Sequence, residues 1–239
     1  MKKSIAAAVI GLAVGLGFTQ NSKAEDRAWA WSPLGIGLAA PVQLPFMSSD
    51  VYGIRVGGLL GYNNAVYGID CGVAELSTDN FAGIQCAALT WTEGNAKGIQ
   101  IGALGNMVGG SSLLLQAGAV NVVWGDAAGL QFGVVNYDAS FAGLQFGGIN
   151  WNGSRSFGLQ AGVANANQDE FVGAALAAVN YSDKFKGFAC GVVNTAYEVT
   201  GYQLGLINAC DRLRGVQIGL LNLVTESKLP IMVLANASF

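Results

Sequence analysis

The chain contains no histidine, and only 11% of its 239 residues are charged. Without imidazole there is no Ser-His-Asp triad, no Cys-His nucleophile pair and no histidine ligand for a metal. Lysine and arginine total 12 against 15 acidic residues, a net charge of -3. That balance excludes the basic footprint of a nucleic-acid binder. There are four cysteines, Cys71, Cys86, Cys190 and Cys210, and no CxxC pair among them, so neither a zinc site nor a thioredoxin-type centre is indicated. Past the N-terminus no apolar run reaches the roughly 18 residues of a transmembrane helix. A hydrophobic content of 52% is too high for a disordered chain.

Glycine, by contrast, is abundant: 35 residues, without the every-third spacing of collagen. The N-terminus reads as an address. Met1-Lys2-Lys3 is basic, Ile5 to Phe18 is apolar, and Ser22-Lys23-Ala24 ends in small residues. This is the pattern of a secretory signal peptide over 1–24, leaving one β-repeat domain over 25–239. In an exported chain a disulfide is permitted, although free thiols are expected.

From 53 to 222 the chain writes one motif twelve times, G-φ-Q-φ-G-φ-φ-N, with φ apolar. Units begin at residues 53, 68, 83, 98, 114, 129, 143, 158, 173, 187, 201 and 215, spaced by 14 to 16. Below, the first glycine of a unit is position 0. Eleven units carry glycine there, with Leu114 the exception, so the glycine excess is positional. Repetition at a fixed period specifies a repeat architecture. The alternation has period two, which predicts strand: positions 1, 3 and 5 form an apolar face, and Gly, Gln and Gly at 0, 2 and 4 form the other. Each unit is therefore expected to be one strand followed by a short polar turn. Further strands are expected near 34–44 and at 229–239.

Strands need their edges hidden, and two closures are compatible with the pattern. The first is all-β, an antiparallel meander closed into an outer-membrane-type barrel of about 14 strands, with the apolar face toward lipid and Gln lining a lumen. It implies outer-membrane lipid and the barrel-assembly machinery as partners, with Phe239 as a C-terminal assembly signal. It also implies a passive, weakly selective pore or a structural envelope protein. The second is a parallel β-solenoid with one 14–15-residue repeat per coil, in which Gln and Asn ladders form because equal positions stack. Such a solenoid would act as a surface-exposed binding or coat module.

Two residue sets stand out. Arg55 and Asp70 occupy the Gln position of units one and two; they would form a charged constriction in a lumen or an ion pair bridging neighbouring strands. The eighth-position asparagines Asn121, Asn136, Asn150, Asn165, Asn180, Asn194, Asn208 and Asn222 stand where a strand gives way to a turn. They are read as turn caps, with a ligand-binding row as the alternative. No catalytic constellation, cofactor motif or metal cluster is apparent: Gly105 to Gly110 lacks the lysine of a phosphate loop. The expectation is of no enzyme.

The layout resembles a family of uncharacterised bacterial surface repeat proteins. The residues that carry the likeness are Val51-Tyr52-Gly53, the tandem GLQxGxxN-type units, and the end from Leu229-Pro230 to Phe239. The resemblance implies a location at the outer membrane or cell surface of a Gram-negative-type bacterium, and no activity. Units one to four, without the Asn, and Ala175 and Ala189, in place of Gln, depart from the pattern and are expected to be the least regular coils.

Overall fold

The computed structural model describes residues 31–39, 42–45 and 48–238. The expected signal peptide and Phe239 lie outside these residues. The described chain is strand linked by short corners, in the order β1 (Trp31–Ala39), β2 (Val42–Leu44), β3 (Asp50–Asn63), β4 (Val66–Cys71), β5 (Ala74–Ser77), β6 (Phe81–Thr92), β7 (Ala96–Val108), β8 (Ser112–Asn152), β9 (Ser156–Cys190), β10 (Val193–Leu204), β11 (Ile207–Val224) and β12 (Ile231–Ser238). β8 and β9 run unbroken through more than one coil.

Equal positions of successive units pair in parallel. Gly53 faces Gly68, Gly68 faces Gly83, Gly143 faces Gly158, and Gly201 faces Gly215. The fold is thus the parallel β-solenoid, and the closed antiparallel barrel is overturned. The physical reason is the side-chain pattern itself. Amides at one fixed position bond to their own kind only when that position recurs one strand spacing away, about 4.8 Å. An antiparallel meander brings equal positions together only at the strand centre.

Each unit is also two strands, not one. The first runs from position -2 to about 3. Bends follow at Gly72-Val73, Gly191-Val192 and Gly205-Leu206, which are positions 4 and 5. A second short strand covers positions 6 to 9. The corner reverses the inside-outside parity, so positions -2, 2, 7 and 9 point inward and 1, 3, 6 and 8 outward. Phe81, Phe141, Phe171 and Phe185 at -2 are buried, as is the Gln row at position 2. These side chains fill the space between the two layers, which leaves no lumen and removes the basis of the pore reading.

The two ends are closed differently. The strand expected near 34–44 is a hairpin: β1 pairs in parallel with β3, and β2 folds back on β1 antiparallel. At the other end β12, the expected terminal strand trimmed to Ile231–Ser238, pairs antiparallel with β11. Register shifts fall at Ala87/Leu89 and Gly102/Gly105, within the units expected to be irregular. At Ala189 the ladder keeps its register, facing Gln203.

The position-0 glycines have a specific cause. All eleven hold φ between 115° and 146°, a region that side-chain-bearing residues rarely adopt. A Cβ on Gly158 would lie 2.0 Å from the carbonyl oxygen of Gly143 one coil earlier. Leu114 escapes because its φ is not positive; its side chain is buried. Gly158→Ala is expected to cost at least about 2 kcal/mol through strained φ and displaced backbone. A lowered thermal midpoint with a local loss of amide protection around coils seven to nine is the expected result; an unchanged midpoint would contradict the assigned stacking.

Candidate functional site

Two regions hold the residues that matter: the polar interior and the apolar exterior. Among the interior rows, Gln100 Nε2 donates to Gln85 Oε1 at 2.9 Å, and Gln116, Gln131, Gln145 and Gln160 each donate to the Gln one coil earlier at 2.7–3.1 Å. Gln217 to Gln203 resumes the ladder at 2.8 Å after Ala175 and Ala189. A buried amide left unbonded is costly, whereas this arrangement serves donor and acceptor at once.

The asparagines form a second ladder of opposite polarity. Each donates to the Asn one coil later, from Asn121 to Asn136 at 2.8 Å through Asn208 to Asn222 at 2.8 Å. Most also donate to the position-3 carbonyl of the following coil, as Asn121 does to Phe132 at 2.9 Å and Asn194 to Leu204 at 3.0 Å. The expected turn caps are therefore buried rungs that bond the corner of the next coil, and their burial leaves no exposed ligand-binding row. Position 4 is kept small for them: a Cβ on Gly133 would meet both Asn121 Nδ2 and Asn136 Oδ1 at 2.8 Å.

The ladder has a ninth member that fixed counting missed. Asn106 donates to Asn121 at 2.8 Å, and Thr90 donates to Asn106 at the other side. Gly105 stands at the eighth position of that unit, because the 16-residue spacing carries one extra residue. The displaced spacing was the available signal.

Arg55 and Asp70 are brought together as an ion pair bridging two coils. Nε donates to Oδ1 at 2.7 Å and Nη2 to Oδ2 at 2.6 Å, both side chains buried. Arg55 also donates to Asn63 at 2.8 Å. Gln85 donates to Asp70 Oδ2 at 2.7 Å, so the carboxylate is the acceptor that terminates the Gln ladder and Arg55 neutralises it. Glu75 joins them, its Oε2 2.6 Å from Nη2 of Arg55, although neither of its oxygens accepts an aligned hydrogen bond. One guanidinium thus serves two carboxylates. Burial pushes the Glu75 carboxyl up to about 7, Asp70 adds to the rise, and Arg55 opposes it.

A third buried carboxyl, Asp138, falls in a stretch where the repeat pattern predicts a polar turn. It lies instead in the inward position-9 row with Asn152, Asn167 and Ser182, fully buried. Gln131 and Gln145 donate to it at 2.7 and 2.5 Å. Burial pushes its carboxyl up to about 8 against the pull of those two donors. Cys210 belongs to this same row and accepts from Gln217. Cys71, Cys86 and Cys190 sit half-buried at position 3, and all four are free thiols. Among the described residues no group of His, Cys, Asp and Glu could hold a metal ion.

Outside, the picture inverts. Positions 1, 3, 5 and 6 across twelve units hold no charged residue. Many are well exposed, as Ile54, Val134, Val163, Leu204 and Leu220 are. Phe132 and Phe146 stack on this surface with centroids 5.3 Å apart. Charge collects along the opposite corner, where Glu170 joins Arg155 and Lys186 at 2.7 and 2.5 Å, and Arg212 joins Glu198 at 2.9 Å. Compared with known protein families, curated proteins and solved structures, the chain matches none.

Two outcomes test the interior. Asn150→Ala removes the side-chain acceptor of Asn136, which keeps only its bond to the Phe146 carbonyl, and the donor to Asn165, a loss of about 2–4 kcal/mol, read as a lower urea midpoint. For pH, the unfolded carboxyls of Asp138 and Glu75 titrate near their ordinary values of about 4, whereas folded they hold the proton to about 8 and about 7. The folded state binds more protons across that window, so stability falls as pH rises through it. Asp138→Asn is expected to flatten the part of the decline between pH 7 and 8 and to be the more stable chain at pH 9.

Proposed function

We propose that this chain is an exported β-solenoid of a bacterial envelope that works by contact, as a binding or coat module, and not by catalysis. The observation that carries this is the outer surface: rows of exposed Ile, Val, Leu and Phe without a charge among them, along the length of the coil stack. Exposed apolar patches of that extent mark interaction surfaces. Solenoids present such surfaces because every repeat offers the same face.

The interior supports the same reading. Its buried carboxyls and amides are engaged with other interior groups: Asp70 ends a ladder, Glu75 pairs with Arg55, Asp138 lies between two glutamines, and the asparagines bond corner carbonyls. They are structural partners and not groups held toward a substrate. The resemblance to bacterial surface repeat proteins and the signal-peptide pattern of residues 1–24 support a location at the cell exterior.

In a Gram-negative host expressing the full chain, protease added to intact cells is expected to remove it, while a periplasmic marker survives. The purified protein should give no conductance in planar bilayers. Retention inside the cell, or single-channel currents from folded protein, would overturn the proposal.

A further inference from the structure

The contact surface has a shape that narrows the partner. Resting on the reading just given, we propose that its partner is a lipid bilayer, with the corner at positions 5 and 6 sunk into the hydrocarbon and the opposite corner left in water. A flat protein partner would cover one broad face. Here the apolar surface continues from positions 1 and 3 on one layer, around the corner at 5 and 6, onto the outward positions of the second layer. A second copy stacked face to face would cover roughly 1,000 Å² per chain, from twelve strand spacings and a five-residue width. That is enough for a stable dimer, but it would leave the corner and the other face bare. A hydrocarbon phase covers all three at once.

The distribution of charge fits this placement. The sunken rows carry none. The ion pairs formed by Arg155, Glu170 and Lys186 lie on the far corner. Exposed Tyr137 and Trp151 at position 8 line the second layer beside the sunken corner. On the first layer exposed Lys97 and Arg214 stand at position -1, just beyond the apolar rows and at the level expected of lipid headgroups. Long basic side chains hold a protein at this depth, with the stem along the apolar surface and the charge in water.

The backbone meets the same demand. Lipid tolerates only backbone whose N–H and C=O groups are bonded within the protein. In a coil stack the ladder bonds run along the axis, from each coil to the next, so neither broad face presents open backbone groups. Gly72 N–H to Cys86 O at 3.1 Å and Leu206 N–H to Val192 O at 3.0 Å show that this holds at the apolar corner itself.

The test is flotation of the exported full chain with phosphatidylcholine vesicles, beside a chain carrying Val134→Glu, Val163→Glu and Leu220→Glu. These three residues are exposed at position 5, so the fold is expected to survive, as checked by circular dichroism. Ser154→Glu adds a charge on the polar corner as a control. The native chain and the control are expected to float; the triple variant should partition at least tenfold less. A native chain that stays in the aqueous fraction overturns the inference, as does a triple variant that floats equally well. Lipid-free dimers or fibres that do not bind vesicles would assign the face to a second copy instead. Protease accessibility on intact cells is a separate readout: loss of vesicle binding with surface exposure intact removes the lipid partner alone, and the contact-module reading stands.

Discussion

The fold depends on the amide-to-amide bond between identical positions of neighbouring coils. An interior built of Gln and Asn would be ruinous if those groups lacked partners, since each unbonded buried polar group costs about 1–3 kcal/mol. Stacked in parallel register at 2.7–3.1 Å, they satisfy one another. That single requirement fixes the direction of the strands and the constancy of the register. It also forces the glycines at positions 0 and 4, which leave room for the backbone of the previous coil and for the asparagine side chains.

The ends of the ladders explain residues that otherwise look misplaced. A Gln ladder whose rungs donate toward the N-terminus needs an acceptor at its first rung, and Asp70 is an acceptor only. A buried carboxylate then needs a cation, which Arg55 supplies with a two-pronged bond. Thr90 closes the Asn ladder in the reverse sense, donating a hydroxyl where the last acceptor would be left open. Glu75 is the costly member, since it shares a guanidinium already committed to Asp70.

Much of this was legible in the residues. Period two along G-φ-Q-φ-G specified strand and placed Gln and the apolar residues on opposite sides. Arg55 above Asp70 already matched a parallel stack. The corner at positions 4 and 5 was not legible, because Gly133-Val134-Val135 reads as uninterrupted strand. Missing it gave one strand of barrel length instead of two short ones, and it reversed the parity of everything after position 5. By unbroken alternation Tyr137 and Trp151 would face inward and Asp138 would fall in a solvated turn. Asn106 was hidden by one inserted residue. Outward apolar and inward polar is also the pattern of a membrane barrel, so the face assignment held while the closure did not.

The opposed polarity of the two ladders bears on how such a chain can change its length. Rows of like-oriented side-chain dipoles would leave a net dipole that grows as coils accumulate. With Gln amides directed one way and Asn amides the other, every added coil contributes two dipoles that largely cancel. The residues tied to an end are few: the β1–β2 hairpin, Arg55 with Asp70, and Thr90 at one end, and the strand Ile231–Ser238 at the other. The coils between them are interchangeable parts, so gain or loss of a whole unit by gene duplication or deletion would alter the reach of the molecule without disturbing what holds it together.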